Sequence, residues 1–185
     1  HVADKNHLLD LMLDAVESEE EIGPASGNWH EDLALLARRQ HQALLRHPWV
    51  VDFVGGRPSL GPHVILRLEQ SLALLDDLGL DARTAVDILS TLNTYVLGAV
   101  IRELREMRND HDLESLGHTR PSLELEFRDW QLRLRASGRF ARFLRIFDED
   151  VDPDDPATRN ERFEFGLRCV LDGIAAAVAR RAPRP

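Results

Sequence analysis

"ARTAVDILSTLNTYVLGAVIRELREM", residues 82–107, decides the fold class. Val86, Leu89, Leu92, Val96, Leu97, Val100, Ile101 and Leu104 recur at spacings of three and four and cover more than one face. Asp81 supplies an N-cap before the run. A helix apolar on several sides belongs at the centre of a bundle or in an interface. Nothing in it alternates as a strand would.

The same period extends outward. Upstream, Leu60 to Asp77 carries a stripe of Val64, Leu68, Leu72 and Leu75, with Arg67, Gln70 and Asp77 turned outward, and Gly79 closes it. A short helix, Trp49 to Val54, is expected between His47-Pro48 and Gly55-Gly56-Arg57-Pro58. Trp29 to Arg46 places Leu33, Leu36, Ala37 and Leu44 on one face, and Asn28 with Glu31 has capping-box spacing. Asp4 caps a first helix from Lys5, with Leu8, Met12, Ala15 and Val16 on one face. Downstream, Arg108 to Pro121 is polar and reads as a loop. Leu123 to Ala136 and Phe140 to Phe147 are helical patterns separated by Ser137-Gly138. "DEDVDPDDP", residues 148–156, is an acidic loop, and Thr158 with Glu161 forms a second capping box. The last helix carries Phe163, Leu167, Val170, Leu171, Ile174 and Val178 on one stripe and ends in the basic "RRAPRP". The expectation is an all-α chain.

Composition narrows the function classes. The 185 residues carry a net charge of −9, which does not suit phosphate binding by this stretch of chain. The single cysteine, Cys169, excludes an intramolecular disulfide and fits a reducing cytoplasm. It stands among apolar neighbours and reads as inert packing. No run reads as a membrane span, so no membrane partner is expected. His111 and His118, near Asp110, Asp112 and Glu114, match no zinc spacing. The acidic loop lacks the glycine and terminal glutamate of a calcium loop. No Ser-His-Asp, Cys-His or phosphate-loop pattern occurs, and no enzyme activity or cofactor is expected.

Gly98, Gly166 and Gly173 interrupt helices, each at about 1 kcal/mol relative to alanine. Small residues on one face admit a close neighbour. Two readings stand: tight packing within one chain, or a seam between two subunits. The second makes a homodimer through Gly98, Phe163, Gly166, Val170, Gly173, Ile174 and Ala177.

Five stretches together resemble the tetracycline-repressor family of regulators. "HVADKNHLLDLMLDAV" (1–16) is similar to the junction between the recognition helix of a helix-turn-helix and the connecting helix, with His1, Val2, Lys5, Leu8, Leu9 and Asp10 matching. "WHEDLALLARRQHQALLRHP" (29–48), "GGRP" (55–58), "LEQSLALLDDLGLDARTAVDILSTLNTYVLGAVI" (68–101) and "FEFGLRCVLDGI" (163–174) resemble successive segments of the family's tetracycline-repressor-like C-terminal subtype, in the family's order. The resemblance implies a connecting helix at 1–17, a ligand-binding and dimerising core at 18–185 with a dimerising helix pair, and a DNA-binding head ahead of His1. His1 and Lys5 then match positions that touch operator phosphate. A small-molecule inducer bound in the core moves the connecting helix and changes operator affinity. An all-helical carrier or enzyme is the alternative.

The resemblance also implies what this chain does not bind. Phe53 stands where tetracycline repressors place a metal-binding histidine, Gly56 where they place a threonine, Leu36 for an asparagine and Ser71 for a glutamine. Arg102 falls at or next to the glutamate position, with Glu103 beside it. The oxygen donors magnesium needs are mostly gone, so no metal–tetracycline chelate is expected. The positions left for an inducer are Leu36, Gln40, Phe53, Ser71, Asn93, Thr94, Leu97 and Arg102: an apolar wall with a few hydrogen-bonding groups. Thr94 could instead bond back to its own helix, and Arg102 could pair with a neighbouring glutamate.

Overall fold

The computed structural model describes residues 4–19, 22–53, 61–115, 128 and 130–181. Its helices are α1 (Lys5–Glu17), α2 (Trp29–Arg46), α3 (Pro62–Ala73), α4 (Ala82–Ser115), α5 (Ala141–Asp148) and α6 (Arg159–Arg181). Short 3-10 turns occupy Pro48–Asp52, Asp76–Leu78 and Pro156–Thr158, and residues 130–136 are helical. Among the described residues there is no strand, so the chain is all-α. The Gly55–Pro58 turn, His1, His118, residues 123–127 of the expected helix and the tail from 182 lie outside the described residues.

Local chemistry starts the helices. The Asp4 carboxylate accepts the His7 N–H at 2.9 Å, Asn28 accepts the Glu31 N–H at 3.5 Å, and Asp81 accepts both the N–H and the hydroxyl of Thr84. The box expected at Thr158 does not form. The Thr158 hydroxyl donates to the Asp155 carbonyl at 3.0 Å and accepts from Arg162 at 2.7 Å. Asp155 instead receives the Ala157 N–H and starts the 3-10 turn that leads into α6.

Three elements differ from expectation. α1 turns Leu9, Leu13 and Val16 towards the chain, whereas Leu8, Met12 and Ala15 of its expected face are exposed. α4 does not stop at Met107 but runs to Ser115, so His111 is helical rather than in a loop. Arg108–Ser115 is polar, yet it contains no glycine or proline to break the helix. In α3 the inward face is Val64, Arg67, Ser71, Leu74 and Leu75, about one residue round from the expected stripe, and Leu68 is 52% exposed. Arg67 turns inward because it meets Glu17 of α1 at 3.0 Å.

The chain divides into two compact units, residues 1–102 with 163–185, and residues 103–162. In the first unit, Leu33 of α2, Leu92, Val96 and Val100 of α4, and Leu167 and Leu171 of α6 are sealed from water. Each such side chain contributes about 1.5–3 kcal/mol by burial. Ala82–Asn109 is long and apolar enough, by length and composition alone, to cross a membrane. Here it serves as a core helix, with Leu92, Val96 and Val100 buried inside the chain.

The second unit is held by one buried carboxylate. Glu106 of α4 receives Arg162 at 2.6 Å and Arg159 at 3.2 Å, both from the start of α6. Arg162 also donates to the Asp155 carbonyl at 2.9 Å. Trp130, Phe143 and Phe147 meet edge to face, and Leu144 is buried.

Candidate functional site

The polar residues of the first unit converge where α2, α4 and the start of α6 meet. The apolar stripe of α2 (Leu33, Leu36, Ala37, Leu44) also includes His41, four residues after Ala37 and buried with them. The His41 ring stacks on Phe163 of α6, with centroids 4.1 Å apart. Tyr95 of α4 stacks on Phe163 from its own helix at 5.7 Å, and its hydroxyl donates to the Phe163 carbonyl at 2.6 Å. Burial raises the Tyr95 pKa, and nearby Glu164 raises it further. One residue before His41, Gln40 Nε2 donates to Asn93 Oδ1 at 2.5 Å. That bond leaves the Gln40 carbonyl oxygen and the Asn93 amide hydrogens to meet a third partner.

Arg38 closes the cluster. It grips Glu164 with two parallel bonds, Nε at 2.7 Å and Nη2 at 2.8 Å. The guanidinium holds the Glu164 carboxyl below its ordinary range.

The residues expected to line a ligand site divide. Leu36 is buried, Gln40 and Asn93 are half-buried and bonded to each other, and Leu97 is half-buried beside them on α4. Ser71 is buried, but its hydroxyl donates to the Arg67 carbonyl at 2.7 Å. Thr94 is exposed and donates to the Ser90 carbonyl at 2.8 Å, which is the back-bonding alternative. Phe53 is 39% exposed beside Trp49, Arg102 is exposed, and Gly56 lies outside the described residues. Sequence reasoning missed His41 and Tyr95. The signal for His41 was its place in the apolar stripe of α2.

The expected seam residues divide too. Phe163 and Ile174 are buried in the chain's own core, and Gly166 is where Tyr95 crosses α6. Gly98 and Gly173 are exposed, and a Cβ at either would meet nothing within 4 Å. Val170 and Ala177 are half-buried. Cys169, expected in packing, is exposed, and Phe165 four residues before it is 63% exposed. Phe165, Cys169 and Gly173 therefore share one outward face of α6. Lys5 is exposed at the start of α1.

Among the described residues no three His, Cys, Asp or Glu side chains converge as a metal site. The arrangement offers stacking surfaces, neutral amides and apolar walls, which is chemistry for binding.

The family described as "Tetracyclin repressor-like, C-terminal domain" matches residues 23–178. The HTH-type transcriptional repressor DrrR1 of Streptomyces coeruleorubidus is 31% identical over 188 residues, covering 98% of this chain and 65% of that protein. The class A tetracycline repressor from transposon 1721 of Escherichia coli is 28% identical over 179 residues, covering 95% and 72%. The crystal structure of the TetR family protein ActR of Streptomyces coelicolor, in complex with actinorhodin, superposes with a TM-score of 0.69 at 23% identity, covering 96% of this chain and 79% of that one.

Proposed function

Because the chain belongs to the tetracyclin repressor-like C-terminal domain family, we propose that it is the ligand-binding and dimerising part of a cytoplasmic transcriptional repressor rather than an enzyme. A small molecule in the first unit changes the affinity of a helix-turn-helix head for operator DNA. The observation that carries the reading is the Gln40–Asn93 amide pair beside the His41–Phe163–Tyr95 stack. The half-buried Tyr95 and Leu97 beside two orientable amides suit a mostly apolar organic molecule bearing a few oxygens. ActR, which is similar in fold, is bound to actinorhodin. We assign this chain an inducer of that general kind, a polycyclic aromatic ketone or quinone taken up without a divalent metal.

In this reading α1 connects the core to the head, and Lys5 faces the operator backbone. Two copies join through the outward face of α6 and the Gly98 region of α4, with Val170, Gly173 and Ala177 in the seam. Phe163, Gly166 and Ile174 stay in each copy's own core.

The test is calorimetric titration of the chain with actinorhodin, and with tetracycline plus magnesium, each with and without EDTA. The expected result is saturable, EDTA-insensitive actinorhodin binding, weakened about tenfold by Asn93→Ala, a loss of one to two hydrogen bonds to a buried partner. Absence of binding by actinorhodin overturns the ligand class, and EDTA-sensitive tetracycline binding overturns the exclusion of metal.

A further inference from the structure

α1 buries none of its residues. Leu9, Leu13 and Val16 are half-buried, and carboxylates supply its polar contacts. Asp14 Oδ1 accepts the backbone N–H of His63 at 2.8 Å and of Val64 at 3.3 Å, and Asp14 Oδ2 lies 2.8 Å from His63 Nδ1. These are the first-turn N–H groups of α3, which a helix leaves without intrahelical partners. The residue at the cap position of α3 is Gly61, which has no side chain to serve them. The cap is thus supplied by another helix, 47 residues away in sequence. A Cβ on Gly61 would collide with the Asp14 carboxylate, so the missing side chain is also what makes room for the substitute. One turn on, Glu17 pairs with Arg67 at 3.0 Å. Past the end of α1, Glu19 meets His47 at 2.8 Å.

We propose that Asp14 is the positioning residue that couples α1 to the core: the first turn of α3 holds the Asp14 carboxylate while it is formed and releases α1 when it is rearranged. The geometry stands by itself, and its regulatory meaning rests on the repressor reading above. A ligand that shifts α3 relative to α2 then alters the attitude of α1 without touching it. Coupling of this kind is reciprocal, so loss of the cap from the α1 side must loosen the first turn of α3 as well.

Gly61→Ala isolates the effect. The Gly61 backbone, at φ −59° and ψ 149°, is open to alanine, so the added methyl acts through Asp14 and not through strain. The measurement is amide hydrogen exchange on the 185-residue chain, with neither DNA nor ligand present. Asp14→Ala and Gly61→Ala are each expected to speed exchange about five- to tenfold at His63, Val64 and the second half of α1, the factor lost with one N-cap. The double variant should be no faster than either single one, and Asp14→Asn, which keeps an acceptor oxygen, should restore protection at His63 and Val64. Core amides of α4 should not change, which separates local release from unfolding. Unchanged exchange in α1, or additive effects in the double variant, overturns the proposal. Coupled exchange in a chain that fails the ligand titration above leaves the coupling standing and removes only the ligand class proposed for the site.

Discussion

The Tyr95 hydroxyl passes over Gly166 so closely that a Cβ on that glycine would lie 2.5 Å from the phenolic oxygen. The tyrosine cannot swing aside freely, because it is stacked on Phe163 and bonded to its carbonyl. Gly166→Ala gains about 1 kcal/mol of helix propensity. It loses about 1 kcal/mol with the hydrogen bond and about 1–3 kcal/mol through overpacking. The expected outcome is a net loss of about 1–3 kcal/mol, read by urea denaturation. A variant as stable as the parent would mean that the tyrosine repacks at no cost.

Gly98 and Gly173 should behave in the opposite way within one chain. Each is exposed in a helix with open space around its missing Cβ. Alanine at either should add about 0.5–1 kcal/mol to the stability of an isolated protomer. If the outward face of α6 is the seam, Gly173→Leu should lower the dimer fraction in sedimentation while leaving the helical circular dichroism unchanged. A fully dimeric Gly173→Leu chain places the seam on another face.

Thr94 tests the site from its far side. Its hydroxyl is committed to Ser90 and the residue is exposed. Thr94→Val should leave ligand affinity within about twofold, against about tenfold for Asn93→Ala. Equal losses in the two variants would put Thr94 back against the ligand.

Glu106 stabilises the second unit through two arginines. Its removal in Glu106→Ala leaves Arg159 and Arg162 side by side without their shared counter-charge. The expected cost is about 3 kcal/mol, near the low end for a broken buried pair because both arginines retain some solvent. Thermal unfolding followed by Trp130 fluorescence, in a chain with Trp29 and Trp49 replaced by phenylalanine, reports on this unit, and an unchanged transition would contradict the assignment.

Acid should act on the first unit through Asp14 and Glu164. Burial pushes the Asp14 pKa up, but bonds from the His63 ring and the His63 and Val64 N–H groups outweigh it and bring it below the ordinary value. Arg38 lowers that of Glu164. A carboxyl with a lowered folded-state pKa contributes stability above its unfolded value, near 4, and that contribution is lost as pH falls through the lowered pKa. Glu17 is shifted the other way, chiefly by burial, so it takes up a proton earlier in the folded chain and offsets part of the loss. Asp14→Asn should therefore flatten the stability profile below about pH 4 and leave the neutral region nearly parallel to the parent.

What could be read from the sequence was local or periodic. Asp4, Asn28 and Asp81 announce helix starts within three residues, and His47-Pro48 announces an end. Most core residues of α4 and α6 follow from spacing, but Ala85 and Ile88 are buried without having been expected and Val86, expected inward, is exposed. The orientation of α3 did not, because Arg67 turns inward only on account of Glu17, 50 positions earlier. The same holds for the site. Asn93 was legible as a polar interruption of an apolar helix and Gln40 only through the family resemblance, and their mutual bond spans 53 positions. Thr94 carried the same signal as Asn93, and one residue of helical rotation sends it to solvent. The polar end of α4 misled because a solvated helix has no apolar period to announce it.

A helix docked by carboxylates over a half-buried apolar stripe, Leu9, Leu13 and Val16, has a mixed thermodynamic character. Separating α1 from the core uncovers this hydrocarbon together with the charged groups, so the step should carry a small positive heat-capacity change. The His47–Glu19 contact lies nearer solvent, where mobile ions compete for both partners, whereas Glu17 is shielded against the inward-turned Arg67. Added salt should therefore loosen the Glu19 end of this segment before it reaches the Glu17 contact.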